Sequence, residues 1–169
     1  IKTAPSTIEG AGRGAFVTRG FEAGEIVTTS PLIHVLNKTM LGRRGVRGDA
    51  DHSGGQLLMN YCFSHPEISL ALCPYGKGIN SINHAPDKVN IRVEWPPHQF
   101  LNHNSTLLNI PPSLWSTSKP QLSLHYVATK PIRAGDELFL DYGQEWQRAW
   151  EDHIVAWRLS DVSFLLPHG

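Results

Sequence analysis

Fifteen glycines and twelve prolines are spread through 169 residues, so that turn residues interrupt almost every apolar run. A chain punctuated in this way reads as short strands joined by turns and not as alternating helix and strand. The runs predict strands near Gly14–Thr18, Glu25–Thr29, Ile33–Leu36, Ser69–Leu72, Val89–Trp95, Leu122–Ala128 and Glu137–Leu140. In one of them, Val89, Ile91, Val93 and Trp95 alternate with Asn90, Arg92 and Glu94. That is the period of a strand with one face buried. Just upstream, Asn83-His84 places two polar side chains where the chain is entering a core, which poses the choice between a turn and a site.

The length suits one domain able to bury a core, and 40% apolar with 9% aromatic residues makes it globular. Lys plus Arg balance Asp plus Glu at 15 each, which disfavours a broad electrostatic grip on nucleic acid or an anionic membrane. Two cysteines, Cys62 and Cys73, exclude a Cys-rich zinc module and a disulfide framework. A metal site from Cys62, His65 and Cys73 lacks a fourth ligand at recognisable spacing, so no metal is expected. Asn37-Lys-Thr and Asn104-Ser-Thr are glycosylation triplets, weak evidence for secretion because such triplets arise by chance. No run reaches transmembrane length and none of the residues shown reads as a signal peptide. The expected location is nuclear or cytoplasmic, with an organelle or secretion left open because a leader upstream of Ile1 could have been trimmed.

Two segments read as surface excursions, an insert at about 37–75 and a loop at about 96–120. The insert holds the basic cluster Arg43, Arg44 and Arg47, taken as a solvated loop, while Gln56–Tyr61 fits a short helix or a strand equally. One helix is expected from Gln144 to Arg158, because Trp146, Trp150, Ile154 and Trp157 share a face opposite Gln147, Arg148, Glu151 and Asp152. Trp150 and Trp157 are expected in the core.

Gly10-Ala-Gly12-Arg-Gly14-Ala15 matches a dinucleotide-binding pattern, but that pattern needs a buried strand before it and a helix after. Thr3–Glu9 is not an apolar strand, and Gly20 and Gly24 fall where the helix would run. The glycines still mark a turn or a close backbone approach. Pro131 to Gly143 repeats the logic of Gly20 to Val27, a glycine turn, an acid and an apolar strand, but ends in Asp141-Tyr142-Gly143 before the tryptophan helix. No nucleophile elbow, zinc-protease motif or P-loop is present, and the nine histidines show no ligand spacing.

Taken in order, Gly12-Arg13-Gly14-Ala-Phe, Ile82-Asn83-His84 with Asn90 six residues on, and Ile132-Arg-Ala-Gly-Asp-Glu137-Leu-Phe-Leu-Asp141-Tyr142 resemble the SET domain, the family of S-adenosylmethionine-dependent protein-lysine methyltransferases. The resemblance implies an α+β, mostly β, β-clip fold with a knot-like crossing. The core would span 1–143, and the tryptophan helix and tail, 144–169, would close the site. It implies cofactor contacts from Gly12, Arg13, Gly14, Asn83, His84 and Tyr142, with Tyr142 as the catalytic tyrosine. Trp146 is expected to cover the adenine. Leu140, Trp95 and Tyr126 would form the substrate pocket for a lysine-bearing protein or peptide, histone or not. Histone-type members usually carry Cys-rich flanking segments, which this chain lacks. The usual Arg-Phe and Ser-Cys around Asn-His appear as Asn80-Ser81 and Ala85-Pro86. At Leu140 the family often has Phe or Tyr; Leu has no hydroxyl to hold a water in the methyl pocket, so more than one methylation is expected.

The implied chemistry needs a neutral lysine, which at pH 7 is roughly one molecule in 2,500 for a pKa of about 10.4. An apolar channel and a neighbouring cation both disfavour the charged amine, so no strong base is required. Two other readings remain: a SET-like module that binds a partner without turnover, and a β-clip sugar or small-ligand domain.

Overall fold

The computed structural model describes residues 1–37, 62–64, 70–97, 104–111, 114, 122–148 and 150–152. The expectations for 38–61, including the basic cluster and Gln56–Tyr61, lie outside them, as do Ile154 and Trp157. The described chain is mostly β: β1 (Lys2–Pro5), β2 (Arg13–Phe16), β3 (Ile26–Val35), β4 (Phe63–Ser64), β5 (Ala71–Pro74), β6 (Asn83–His84), β7 (Ile91–Glu94), β8 (Ser123–Ala128) and β9 (Phe139–Leu140). A five-residue 3-10 turn, Ser105–Asn109, stands in the loop after β7. The C-terminal segment is helical at 144–148 and 150–152.

The largest sheet has the order β4-β5-β3-β8-β7. At its centre is β3, read from sequence as two strands because Ser30-Pro31 falls between the apolar runs, but continuous over ten residues. The proline is tolerated because the strand changes partner there. Residues up to Pro31 pair with β8 and those from Leu32 onward with β5. The lost N–H falls at a handover, while the Pro31 carbonyl still accepts from Tyr75 at 3.0 Å. Of the strand expected at Ser69–Leu72, Ser69 lies outside the described residues, and the strand observed runs over Ala71–Pro74.

Lys2–Pro5, which shows no apolar run, is a strand, paired antiparallel with β2 from Lys2 opposite Phe16 to Pro5 opposite Arg13. Backbone pairing sustains it without a buried face of its own, which is why periodicity missed it. The two glycine turns prove to be partners. Phe21 and Ile132 exchange backbone hydrogen bonds of 2.9 and 2.8 Å, so the repeated segments meet across a bridge. Gly24 and Gly135 take φ of +88° and +94°, the left-handed conformation that lets each turn close ahead of its acid. The core between these layers is filled by Val17, Leu32, Ile91, Leu122, Tyr126 and Leu138, all essentially inaccessible to solvent.

A third sheet consists only of β6 and β9, parallel, with Asn83 opposite Phe139 and His84 opposite Leu140. Ala85 N–H donates to the Leu140 carbonyl at 3.1 Å, so Leu140 turns its peptide groups toward β6. Phe139, one residue earlier, turns its own the other way, and there Asn90 meets them. The Asn90 amide donates to Glu137 O at 2.7 Å, its Oδ1 accepts from Phe139 N at 2.9 Å, and its backbone N–H reaches Phe139 O at 3.3 Å. Residues 83–90 therefore grip 137–140 along both edges. This is the knot-like crossing, held by one buried asparagine acting as a piece of strand.

The two cysteines correct the sequence reading. Antiparallel pairing of Phe63 with Leu72 sets Cys62 across from Cys73, and the two form a disulfide that ties the start of the edge strand β4 to its neighbour β5. Both sulfurs are thereby committed and cannot serve a metal.

Candidate functional site

The crossing brings the ends of β6 and β9 together, and the polar residues follow from that. At the end of β9 the chain turns at Asp141-Tyr142-Gly143, where Gly143 has φ +92° and its N–H donates to Asp141 Oδ1 at 2.8 Å. Tyr142 N–H donates to His84 Nδ1 at 2.9 Å. His84 Nδ1 must therefore offer a lone pair, which puts the ring proton on Nε2, and that nitrogen lies 2.6 Å from Gln147 Oε1. Gln147 is oriented in turn by donating to Glu151 Oε1 at 2.6 Å, one helical turn on. Asp141 Oδ1 approaches His84 Nδ1 to 3.8 Å, but with the lone pair engaged by Tyr142 this is proximity rather than an ion pair.

Three rings close around this network. Trp146 lies 4.8 Å from His84 and 4.9 Å, edge-on, from Tyr142, measured between centroids. Trp150 stacks on Trp146 at 5.7 Å with the planes 12° apart. Trp150 was expected in the core and is instead 45% exposed. With Trp146 inboard, the stripe of the helix packs tryptophan on tryptophan, leaving the second ring toward solvent. The Tyr142 hydroxyl donates to the Ile82 carbonyl. Tyr126 is fully buried, and burial first and the neighbouring Tyr142 second push its phenol far above the ordinary range, so it stays neutral.

On the other side of β6, Asn83 Nδ2 is shared among Ser6 Oγ at 3.1 Å, Arg13 O at 3.1 Å and Glu137 Oε1 at 3.2 Å. Glu137 also accepts from Ser6 Oγ at 2.7 Å, and from Thr7 N and Thr7 Oγ1 at 2.7 and 2.6 Å. Burial acts to raise its pKa, but the bonds from Thr7, Ser6 and Asn83 outweigh that and hold the carboxyl below the usual value. A Cβ on Gly14 would stand 1.9 Å from Glu137 Oε1. The close approach that this glycine permits is to a carboxylate of the protein itself. At Gly12, φ is +72° and nothing lies within 4 Å of a would-be Cβ, so that turn faces open space. The Arg13 guanidinium lies on the surface, bonded to Thr3 O and Thr3 Oγ1 at 3.3 and 2.8 Å.

The structure thus brings Arg13, Gly14 and Asn83 together on one side of β6, with Gly12 in the adjoining turn, and His84, Tyr142 and Trp146 into a patch on the other, with Leu140 and Tyr126 in the core. Trp95 is placed elsewhere. It borders a cavity of about 230 Å³ lined by Leu32, Phe63, Leu72, Val93, Glu94 and Leu124, on one face of the large sheet. Sequence reasoning passed over Ser6, Thr7 and Gln147. None belongs to a motif, and only the fold brings 6–7 and 147 to residues some 60 to 130 positions distant.

The patch fits S-adenosylmethionine by the chemistry of its donors. In β6 the groups toward β9 are Asn83 O and Ala85 N–H, so His84 directs its own N–H and C=O to the opposite edge, unpaired by any described strand. One donor and one acceptor beside the half-buried Trp146 face suit the amino and ring-nitrogen edge of a purine.

The SET-domain family profile matches residues 12–143, and the chain belongs to that family. Among solved structures, a Plasmodium falciparum protein described as a histone methyltransferase shares 20% identity at a TM-score of 0.50, over 86% of this chain and 96% of its own. Polycomb repressive complex 2 of Chaetomium thermophilum is 26% identical at a TM-score of 0.55, over 85% of this chain and 15% of that one. The same type of complex, autoinhibited and bound to S-adenosylmethionine, matches at 24% identity and a TM-score of 0.54, over 89% of this chain and 16% of that one. The chain thus spans about a sixth of the Polycomb chains it resembles. No curated protein matches the sequence.

Proposed function

We propose that the protein is an S-adenosylmethionine-dependent protein-lysine N-methyltransferase. The observation that carries the reading is the meeting of Asn83-His84, Tyr142 and Trp146 at the crossing of β6 and β9. Support also comes from the neighbours, which include a complex bound to S-adenosylmethionine. When bound, the cofactor supplies an electrophilic methyl on a sulfonium centre. His84 would hold its adenine through the outward peptide groups and Trp146 would cover it. Gly12, Arg13 and Asn83 would meet the amino-acid end, with Asn83 Oδ1 directed there because its amide nitrogen is already engaged.

Tyr142 is the catalytic residue of this reading. Because its O–H donates to Ile82 O, the phenolic oxygen presents lone pairs to the other side, where they would accept from the substrate amine and orient it. Tyr126, neutral and buried next to it, contributes an uncharged wall. A neutral phenol does not stabilise an ammonium as an anion would, which favours the neutral nucleophile. Leu140, buried and without a hydroxyl, leaves room for further methyl groups, so the product is di- or trimethyllysine on a histone or another protein. Strictly monomethylated lysine in mass spectra after long incubation is the result that would remove this part.

Calorimetric titration with S-adenosylhomocysteine tests the cofactor site without knowledge of the substrate. Saturable one-to-one binding is expected, with Tyr142→Phe retaining affinity and losing methyl transfer on a verified substrate. A folded protein that gives no binding heat would leave the non-catalytic partner-binding module as the better reading.

A further inference from the structure

Neither the Asn104-Ser-Thr triplet nor the cysteine pair has a part in methyl transfer, and they point together to a compartment. Asn104 is exposed at the start of the 3-10 turn Ser105–Asn109. Its Oδ1 accepts from Thr106 Oγ1 at 2.6 Å and from Thr106 N at 3.2 Å. Two donors on the amide oxygen draw charge away from the nitrogen and make its hydrogens more acidic, while Nδ2 donates to none of the described residues. The second observation is independent: the register of β4 with β5 sets Cys62 opposite Cys73, and the two are bonded. Structural disulfides persist in oxidising compartments and are rare in the cytosol and nucleus.

We propose that Asn104 is an N-glycosylation acceptor and that the protein matures in the oxidising, secretory-type compartment where Cys62 and Cys73 join. In the transfer, Asn104 Nδ2 bonds to the anomeric carbon of a lipid-pyrophosphate-linked oligosaccharide. The bond from that carbon to the pyrophosphate oxygen breaks, the lipid pyrophosphate leaves with the electron pair, and one amide proton passes to a base of the transferase. In the oxidation, the two thiols surrender two protons and two electrons to a carrier-protein disulfide, which becomes a dithiol. Asn37 is exposed as well, but its Thr39 lies outside the described residues, so Asn104 carries the proposal.

The test uses protein from the cells that make it, with no leader added, alkylated without reduction and mapped by mass spectrometry before and after peptide-N-glycosidase in heavy-oxygen water. The Asn104 peptide should be seen in its expected form only after treatment, as heavy-oxygen aspartate, with the Cys62 and Cys73 peptides linked. Asn104→Gln and Thr106→Ala should both lose the shift in gel mobility at this site, and Thr106→Ser should keep it. An unmodified Asn104 peptide overturns the proposal whatever the state of the cysteines, and alkylated thiols at both cysteines overturn its compartment. Either result is independent of cofactor binding.

Discussion

Glu137 carries hydrogen bonds from Ser6, Thr7 and Asn83 on one buried carboxylate, and in doing so ties the N-terminal strand pair to the crossing. All those donors favour the charged form, so its folded pKa lies below the unfolded value of about 4.3. The stability this contributes is fully present above the unfolded pKa and is lost as pH falls through the folded one. Glu137→Gln keeps the size but offers one acceptor oxygen where the carboxylate offers two. It should be less stable than wild type by about 1–3 kcal/mol near pH 7, and the gap should close below about pH 4. Urea denaturation across that range checks this; a gap that does not change with pH would mean that the charge is not what matters. Gly14 belongs to the same arrangement, since the carboxylate occupies the space its missing side chain would take.

At the scale of elements, β6 and β9 are each only two residues long, and neither would hold without the groups that flank them. Asn90 is the chief of these. Asn90→Ala would strip partners from two buried backbone groups, Glu137 O and Phe139 N. A loss of about 2–4 kcal/mol is expected, read as a lower denaturation midpoint, and a loss under about 0.5 kcal/mol would show that β6 alone secures the crossing. The C-terminal helix contributes differently, through Trp146. Trp146→Ala should leave the strand core intact by circular dichroism and weaken S-adenosylhomocysteine binding about tenfold, the scale of one aromatic contact. Unchanged affinity would free the tryptophan of that role. Much of this was legible in sequence because strand alternation and the Asn83-His84, Asn90 and Asp141-Tyr142 signatures are local. What was not legible depends on pairing at a distance: β1 has no apolar pattern, β3 runs through a proline because its neighbours change there, and Trp150 faces solvent because Trp146 takes the inner position.

For the whole molecule, the site and the disulfide occupy different sheets. Cys62–Cys73 joins β4 to β5 at one edge of the five-stranded sheet, whereas the candidate site grows from the separate β6-β9 pair. The bond closes a short loop, with a sequence separation of 11, and chain entropy assigns such a closure about 2–3 kcal/mol. For a domain of this size that corresponds to a fall of roughly 5–10 °C in Tm on reduction. The edge strand β4 contributes no residue to the patch around His84, Tyr142 and Trp146, so the affinity for S-adenosylhomocysteine at 25 °C should stay within about twofold, provided the reduced protein remains folded. Thermal scans and calorimetry with and without reductant, repeated on Cys62→Ser/Cys73→Ser to exclude effects of the reductant itself, measure both quantities. A Tm that falls while affinity holds makes the disulfide a brace for one sheet. An affinity that falls with it, in protein still folded, would mean that the ordering of β4 and β5 reaches the crossing through β3 and β8, and that redox state governs the site.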